Sequence, residues 1–241
     1  MCGRYVSPTE ADLERFWGLT HRQATLFLAG YVQSFNVVPT MRVPIVYLED
    51  GQRVGAAARW GFIPFWWSKS KPPPFTFNTR IEEATTKPMW RQALKESRCL
   101  VPALGWYEWK EVERVDPSTG EIRKVKQPYF IHLPGRKPIS FAGVMSARWI
   151  DPQKSALEYS CSIVTKEAEG RAAEVHSRMP VILPLTAWDA WMDREQTDAG
   201  KALDTARQVA VQAIELYAVS TRVNEAKNQG EDLIEPFENP A

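Results

Sequence analysis

Cysteine and histidine are scarce in this chain: three of each in 241 residues. The cysteines, Cys2, Cys99 and Cys161, show no C-x-x-C spacing. That excludes a thiolate zinc site and the disulfide framework of a small secreted domain. A reducing, cytoplasmic setting is expected. No apolar run approaches the about 18 residues that a membrane-spanning helix needs, and no basic-then-apolar leader opens the chain. Neither a membrane, a metal nor a cofactor is expected. A charge excess is missing too. Thirty Lys and Arg face 29 Asp and Glu, a net +1, which argues against a protein that coats nucleic acid by charge alone. Repeats, low-complexity tracts and a clear linker are absent, so one domain over residues 1–241 is expected; a monomer is expected as well.

What is present is an ordinary apolar content of 44%, enough for a sizeable core, together with ten tryptophans. Charge is uneven along the chain. Residues 66–126 carry 12 basic and 8 acidic side chains, and residues 127–241 carry 12 and 16. The middle could present a modest basic face, or simply scattered lysines on a solvated surface.

Ser7-Pro8-Thr9-Glu10 reads as a capping box that starts a helix through Leu13, Phe16 and Trp17. Val43–Leu48 and Val54–Trp60 read as strands joined at Glu49-Asp50-Gly51. Pro64–Pro74 is loop, and Pro88–Glu96 is helix. Strands are expected at Cys99–Ala103 and Trp106–Lys110, broken at Gly105. Glu111–Lys126 reads as the tip of a long hairpin returning through Tyr129–Leu133. Further strands are expected at Ile139–Ala147, Tyr159–Thr165 and Leu216–Val219. Helices are expected at Ala187–Met192, capped by Thr186, and near Ala199–Gln212. Strands and helices without strict β-α-β alternation indicate α+β with largely antiparallel sheet.

Position two carries the most chemistry. Cys2 follows the initiator Met1, and a small residue there permits methionine removal. The mature chain would begin with a thiol and an α-amine on adjacent carbons. That pair condenses with an aldehyde to a thiazolidine ring. With a pKa of about 7.7–8.0, roughly a tenth to a fifth of an α-amine is neutral and nucleophilic at pH 7. An early residue in a frayed terminus is the plain alternative.

Three further polar islands stand in apolar surroundings: Phe77–Glu82, Gly105–Trp109 and Glu174–Pro180. Glu108 lies between Tyr107 and Trp109. Aromatic neighbours would desolvate its carboxyl and raise its pKa, whereas strand alternation could turn it into water. His176 suits acid–base work near neutral pH, or closes a helix. Asn78 could hold a hydroxyl and Arg80 a phosphate, or the pair could form an Asx-turn with an exposed arginine. Trp66-Trp67 could stack on a base, or one ring could join the core.

Taken in order, several motifs point to a family. They are Met1-Cys2-Gly3-Arg4, Phe35-Asn36-Val37-Val38-Pro39, Trp60-Gly61-Phe62-Ile63-Pro64, Asn78-Thr79-Arg80-Ile81-Glu82, Gly105-Trp106-Tyr107-Glu108-Trp109-Lys110, His176-Ser177-Arg178-Met179-Pro180 and Lys227-Asn228-Gln229-Gly230. Together they resemble the SRAP family, named for SOS-response-associated peptidases and also described as abasic-site processing proteins. The resemblance implies a barrel-like, twisted β core with peripheral helices. It implies a covalent crosslink to abasic sites in single-stranded DNA, made through Cys2 with a Schiff-base intermediate and weak lyase activity. By motif, Cys2, Asn78, Glu108 and His176 match the reacting centre. Gly3, Arg4, Asn36, Trp66, Trp67, Arg80, Arg178, Met179 and Pro180 match DNA-contacting positions. A protein of this kind would meet the nucleoid when bound to DNA. Two other readings stay open: a cysteine peptidase or amidohydrolase using Cys2, and a non-catalytic single-stranded DNA module.

Overall fold

A computed structural model describes residues 2–19, 31–116, 118–151, 153, 156–208 and 213–237. Met1, on which the expected amino-terminal processing falls, lies outside the described residues. Eleven strands are described: β1 (Tyr5–Val6), β2 (Arg42–Glu49), β3 (Gln52–Trp60), β4 (Asn78–Arg80), β5 (Arg98–Ala103), β6 (Gly105–Val115), β7 (Ile122–His132), β8 (Ile139–Trp149), β9 (Leu157–Glu167), β10 (Arg178–Pro180) and β11 (Glu215–Ala218). The described helices are α1 (Glu10–Trp17), α2 (Pro88–Glu96), α3 (Trp188–Met192) and α4 (Ala199–Gln208). None of them is long and apolar enough to cross a membrane.

Five strands close on themselves. β2 pairs with β3 and β5, β5 with β8, β8 with β9, and β9 returns to β3. All these pairings are antiparallel except β3–β9. The expected α+β class and barrel-like core are both present. β2 can serve such a barrel because Val43 to Tyr47 are buried without interruption, as a strand covered on both faces requires. Its turn into β3 places Asp50 and Gly51 at φ 49° and 73°. Two positive φ values are what a two-residue hairpin with the strands' own twist demands.

A second, four-stranded sheet runs β1-β6-β7-β11. Within it Tyr5 opposes Trp106 and Val6 opposes Gly105, and it leans on the barrel through the Tyr5 ring, which meets Trp60 of β3 and Phe141 of β8 edge-on. A side chain at Gly105 would meet the Phe130 ring at 2.4 Å and the Ile131 carbonyl at 2.8 Å. The glycine lets β7 close over the start of β6 and fixes where Glu108 falls.

The end of β9 carries the two short strands that matter most. β4 lies parallel along one side, with Asn78 opposite Ile163 and Arg80 opposite Thr165. β10 lies antiparallel near Thr165 to Glu167. One strand end therefore holds both the Asn78 segment and the segment that follows His176.

Two large apolar clusters fill the barrel and its helical flank, and a third, smaller one on the second sheet includes Tyr107, Phe130, Val219 and Val223. Of the large two, one occupies the barrel and includes Cys2, Tyr5, Trp60, Trp106, Phe141 and Cys161. The other seals the helices against the barrel wall, with Leu13, Trp17, Leu94, Leu100, Trp191 and Leu203. Trp17, Trp60, Trp106 and Trp191 are fully buried. Each of three indole N–H groups finds an oxygen: Trp17 on Ser140, Trp60 on the Phe77 carbonyl, and Trp191 on the Cys99 carbonyl. These tryptophans are core residues, and their abundance does not by itself signal a surface.

Several sequence expectations need correction at element ends. The capping box is Thr9 with Asp12, not Ser7 with Glu10. The Ser7 hydroxyl is taken by the Ser34 backbone N–H, a tertiary contact that outcompetes the local one. The break between β5 and β6 is Leu104, whose N–H bonds the Val6 carbonyl, and Gly105 lies within β6. The hairpin strands run on to Val115 and resume at Ile122, so most of Glu111–Lys126 is strand. Cross-strand pairs such as Glu111–Lys126 and Val112–Val125 support that extension. Thr186 sits in a 3-10 turn, and α3 begins after Ala187 with no side-chain cap. The expected helix extension over 209–212 lies outside the described residues.

Arg98 shows how the helices are fixed. It is 2% exposed. Its guanidinium donates to the carbonyls of Leu94, Lys95, Trp191, Asp193 and Gln196, gathering the ends of α2 and α3. A charged donor aimed at helix C-termini is favoured by the helix dipole. Arg98→Met leaves those carbonyls without a donor and should lower stability by about 2–4 kcal/mol. Urea unfolding monitored by tryptophan fluorescence measures it.

Candidate active site

The chain enters the site at Cys2. This residue has no exposed surface. It is anchored by Asn78, whose Nδ2 donates to the Cys2 carbonyl at 2.8 Å. β4 supplies Asn78, and the Tyr107 N–H to Arg4 carbonyl bond of 3.0 Å locks the following residues to β6. The other end of the Asn78 amide, Oδ1, is buried with no hydrogen-bond partner among the described residues. A buried acceptor in that state is a place for a donor to dock.

Glu108 comes from β6 and is 3% exposed. Strand alternation does not turn it into water, because both faces of β6 are covered over residues 105–108. Burial pushes its carboxyl up to about 7, with the positive amino terminus pulling the other way. Near neutral pH it is poised between its two forms. The Cys2 thiol is pushed well above its ordinary value, first by burial and then by the Glu108 carboxylate. The amino terminus and the Arg4 backbone N–H oppose that rise.

His176 precedes β10 and is half-buried. Its Nδ1 accepts the Arg178 backbone N–H at 2.9 Å, which leaves the ring proton on Nε2. Burial lowers its pKa, helped by the amino terminus and the Arg178 charge and opposed by a hydrogen bond to the Arg178 backbone. The ring is therefore neutral at pH 7. Glu108 and His176 line one cavity of ≈ 450 Å³ with Arg4, Trp109, Lys126 and Asn224. Cys2, Asn78, Glu108 and His176 thus converge from four separate parts of the chain.

The residues matched to DNA contacts divide. Gly3 and Arg4 are half-buried, and Arg4 lines the cavity. Arg4 directs its terminal nitrogens at Asn36 Oδ1 (2.8 Å), the Val223 carbonyl and the Asn224 carbonyl (3.1 Å). Asn36 is fully buried, and its amide holds the carbonyls of Val223, Glu225 and Asn228 at 3.0–3.2 Å. These two residues fasten the 223–228 loop along the cavity. Arg178 grips Glu82 with two prongs (2.7 and 2.9 Å) and bonds the Thr165 carbonyl at 2.8 Å, tying the ends of β4, β9 and β10 together. Met179 and Pro180 are buried. Arg80 is exposed, 4.0 Å from Glu83. Trp66 is half exposed, whereas Trp67 bonds the Lys71 carbonyl and carries Lys69 over its ring. Trp66 lines a different cavity of ≈ 300 Å³, which shares no residue with the first.

Three cavity residues do not stand out as site residues in the sequence. Trp109 belongs to a family motif, and its ring lies under the Arg4 guanidinium. Lys126 is one charge among many at the hairpin. Asn224 has no local signal; it accepts the Trp109 indole N–H at 2.8 Å. Among the described residues, no group of three His, Cys, Asp or Glu side chains is placed to hold a metal ion.

Relatives share this architecture. A crystal structure of a protein from Bacteroides thetaiotaomicron superposes with a TM-score of 0.80, covering 99% of this chain and 100% of that one, at 18% identity, which is a likeness of fold. Abasic site processing protein YoqW of Bacillus subtilis is 33% identical over 239 residues, 98% of this chain and 99% of its own. Abasic site processing protein YedK of Escherichia coli is 29% identical, over 98% of this chain and 100% of its own. The family described as SOS response associated peptidase matches residues 1–226. The chain belongs to that family, SRAP.

Proposed function

We propose that this protein processes abasic sites in single-stranded DNA by forming a covalent crosslink through Cys2 once Met1 has been removed. The observation that carries the proposal is the burial of Cys2 beside Asn78 and Glu108, with Glu108 in turn lining a cavity that His176 shares. The names of the relatives, abasic site processing proteins, support it.

The chemistry follows from the charge states. The neutral Cys2 amine attacks C1′ of the open-chain abasic sugar, forming an N–C bond and a carbinolamine. Loss of water gives a Schiff base. The sulfur then adds to the imine carbon, the thiol proton leaves, and a thiazolidine closes; the overall change is aldehyde plus aminothiol to ring plus one water. Glu108, with a pKa near 7, can accept the amine proton and return it to the departing hydroxyl. His176, neutral with its proton on Nε2, donates a hydrogen bond to the sugar ring oxygen and favours the open aldehyde. Asn78 Oδ1 receives an N–H of the terminal amine or a sugar hydroxyl. Holding the three reacting groups together supplies several kcal/mol, on the order of the proximity effect in intramolecular reactions. An abasic nucleotide has no base to unstack, so extruding it is cheap. The same Schiff base can lose the 3′-phosphate by β-elimination, which gives the weak lyase activity; ring closure competes with it.

A peptidase reading uses the same cysteine, but needs its sulfur to attack first. Burial and Glu108 hold that thiol protonated, whereas sulfur adding second meets an imine, a far stronger electrophile, with a carboxylate at hand to take the proton. A non-catalytic DNA module would bind intact and abasic strands alike and would not need Cys2.

On a denaturing gel with a single-stranded oligonucleotide carrying one abasic site, Cys2→Ala should abolish the stable crosslink. A Cys2→Ala protein that crosslinks as well as the parent would rule out the proposal. Glu108→Gln should slow crosslinking about 10²-fold or more while changing strand affinity little, a general acid–base loss. The parent's rate should rise with pH through about 7 and that of Glu108→Gln should not.

The same group sets a pH dependence of stability. The folded carboxyl titrates near 7 and the unfolded one near 4.5, so the folded state binds more protons between those values. Stability from this group falls as pH rises from about 4.5 to 7 and is level above. Thermal unfolding should find Glu108→Gln more stable than the parent at pH 8, with the gap closing at pH 4.5.

A further inference from the structure

The cavity holds a negative group, a neutral ring and a guanidinium already engaged by protein carbonyls. A DNA strand brings phosphates, and none of these three groups is a cation open to one. Lys126 fills that gap. It lies on β7 opposite Glu111, its natural ion-pair partner by register. The Glu111 carboxylate, however, is taken diagonally by Lys124 at 3.1 Å. Lys126 is exposed and makes no ion pair or hydrogen bond among the described residues, yet it lines the cavity with Glu108 and His176. By the same register Lys126 shares a sheet face with Trp109.

Asn224 stands across the same cavity. The Trp109 indole N–H donates to its Oδ1, which fixes the amide so that Nδ2 is the outward end. No described residue accepts from that Nδ2. Its position is held from behind by Arg4 on the Asn224 carbonyl and by Asn36 on the neighbouring loop carbonyls. Two donors, one charged, therefore face one opening with nothing among the described residues to satisfy them.

We propose that Lys126 and Asn224 form a phosphodiester subsite at the mouth of this cavity, which grips the linkage next to the abasic sugar and anchors the strand there. The inference rests on the abasic-strand reading above and adds the group that holds the strand. The hairpin thereby gains a role, since β7 carries a cation from outside the barrel to the edge of the reacting centre. Lys126 positions the substrate and takes no part in bond making.

The test measures crosslinking rate against concentration for single-stranded oligonucleotides with one abasic site, and salt dependence of equilibrium binding. Lys126→Ala should raise the half-saturating DNA concentration about fivefold, leave the maximal rate within about twofold, and reduce the salt slope by about 0.7, the loss of one phosphate contact. Lys126→Arg should restore all three. Replacing the linkage on one side of the abasic site by a neutral methylphosphonate should weaken the parent and leave Lys126→Ala nearly unchanged. Equal concentration dependence and equal salt slope in parent and Lys126→Ala overturn the subsite, as does undiminished sensitivity of Lys126→Ala to the methylphosphonate on both sides. If the parent makes no crosslink at all, the abasic-site reading fails instead, and the salt slopes of parent and Lys126→Ala still decide the subsite by the same criterion.

Discussion

The hydrogen bond from Asn78 Nδ2 to the Cys2 carbonyl fixes the start of the chain inside the molecule. Chain starts ordinarily fray, because nothing opposes their conformational entropy. Here residue 2 packs in the barrel cluster, Tyr5 pairs with Trp106, and the Arg4 carbonyl is held by the Tyr107 N–H. One such bond is modest, about 1 kcal/mol, yet it joins residues 76 positions apart and sets where an amine on residue 2 would stand. Asn78 in turn stands on β4, which is registered against β9, the strand that also receives β10 and so places His176. The site is thus a product of strand register around one strand end.

Burial gives the two central groups their character. Glu108 and Cys2 are both cut off from water, and the Glu108 carboxylate adds to the cost of ionising the thiol. The result is a carboxyl that holds or releases a proton near neutrality, beside a sulfur that waits as a thiol. Sequential attack, amine before sulfur, fits that pair better than a pre-formed thiolate. Arg4, Asn36 and Arg178, matched to DNA contacts by motif, mostly bind protein oxygens. They act as the scaffold that keeps the cavity's loops in place.

Much of the barrel was legible in the sequence, because β2, β3, β8 and β9 are apolar runs ended by turn residues, and α2 begins at Pro88 as expected. The barrel's closure was legible only through the family resemblance, since the parallel β3–β9 contact joins residues about a hundred positions apart and leaves no local trace. Local rules failed where tertiary partners took over: Ser7 lost its cap to Ser34, and Leu104 rather than Gly105 interrupts the strands. Cys2, Asn78, Glu108 and His176 stood out as polar residues among apolar ones. Lys126 and Asn224 did not, because a lysine in a charged hairpin and an asparagine in a loop become part of a site only through pairing register and loop packing.

The central claim is that the amine and sulfur of residue 2 both bond to one sugar carbon. Intact mass spectrometry of the protein after incubation with an abasic single strand, followed by peptide mapping, tests it directly. The account predicts a chain lacking Met1, heavier by the oligonucleotide minus one water, with the modification on the amino-terminal cysteine peptide and its thiol no longer alkylatable. An adduct on another residue, or an unmodified cysteine with a free thiol in a DNA-bound protein, would contradict it.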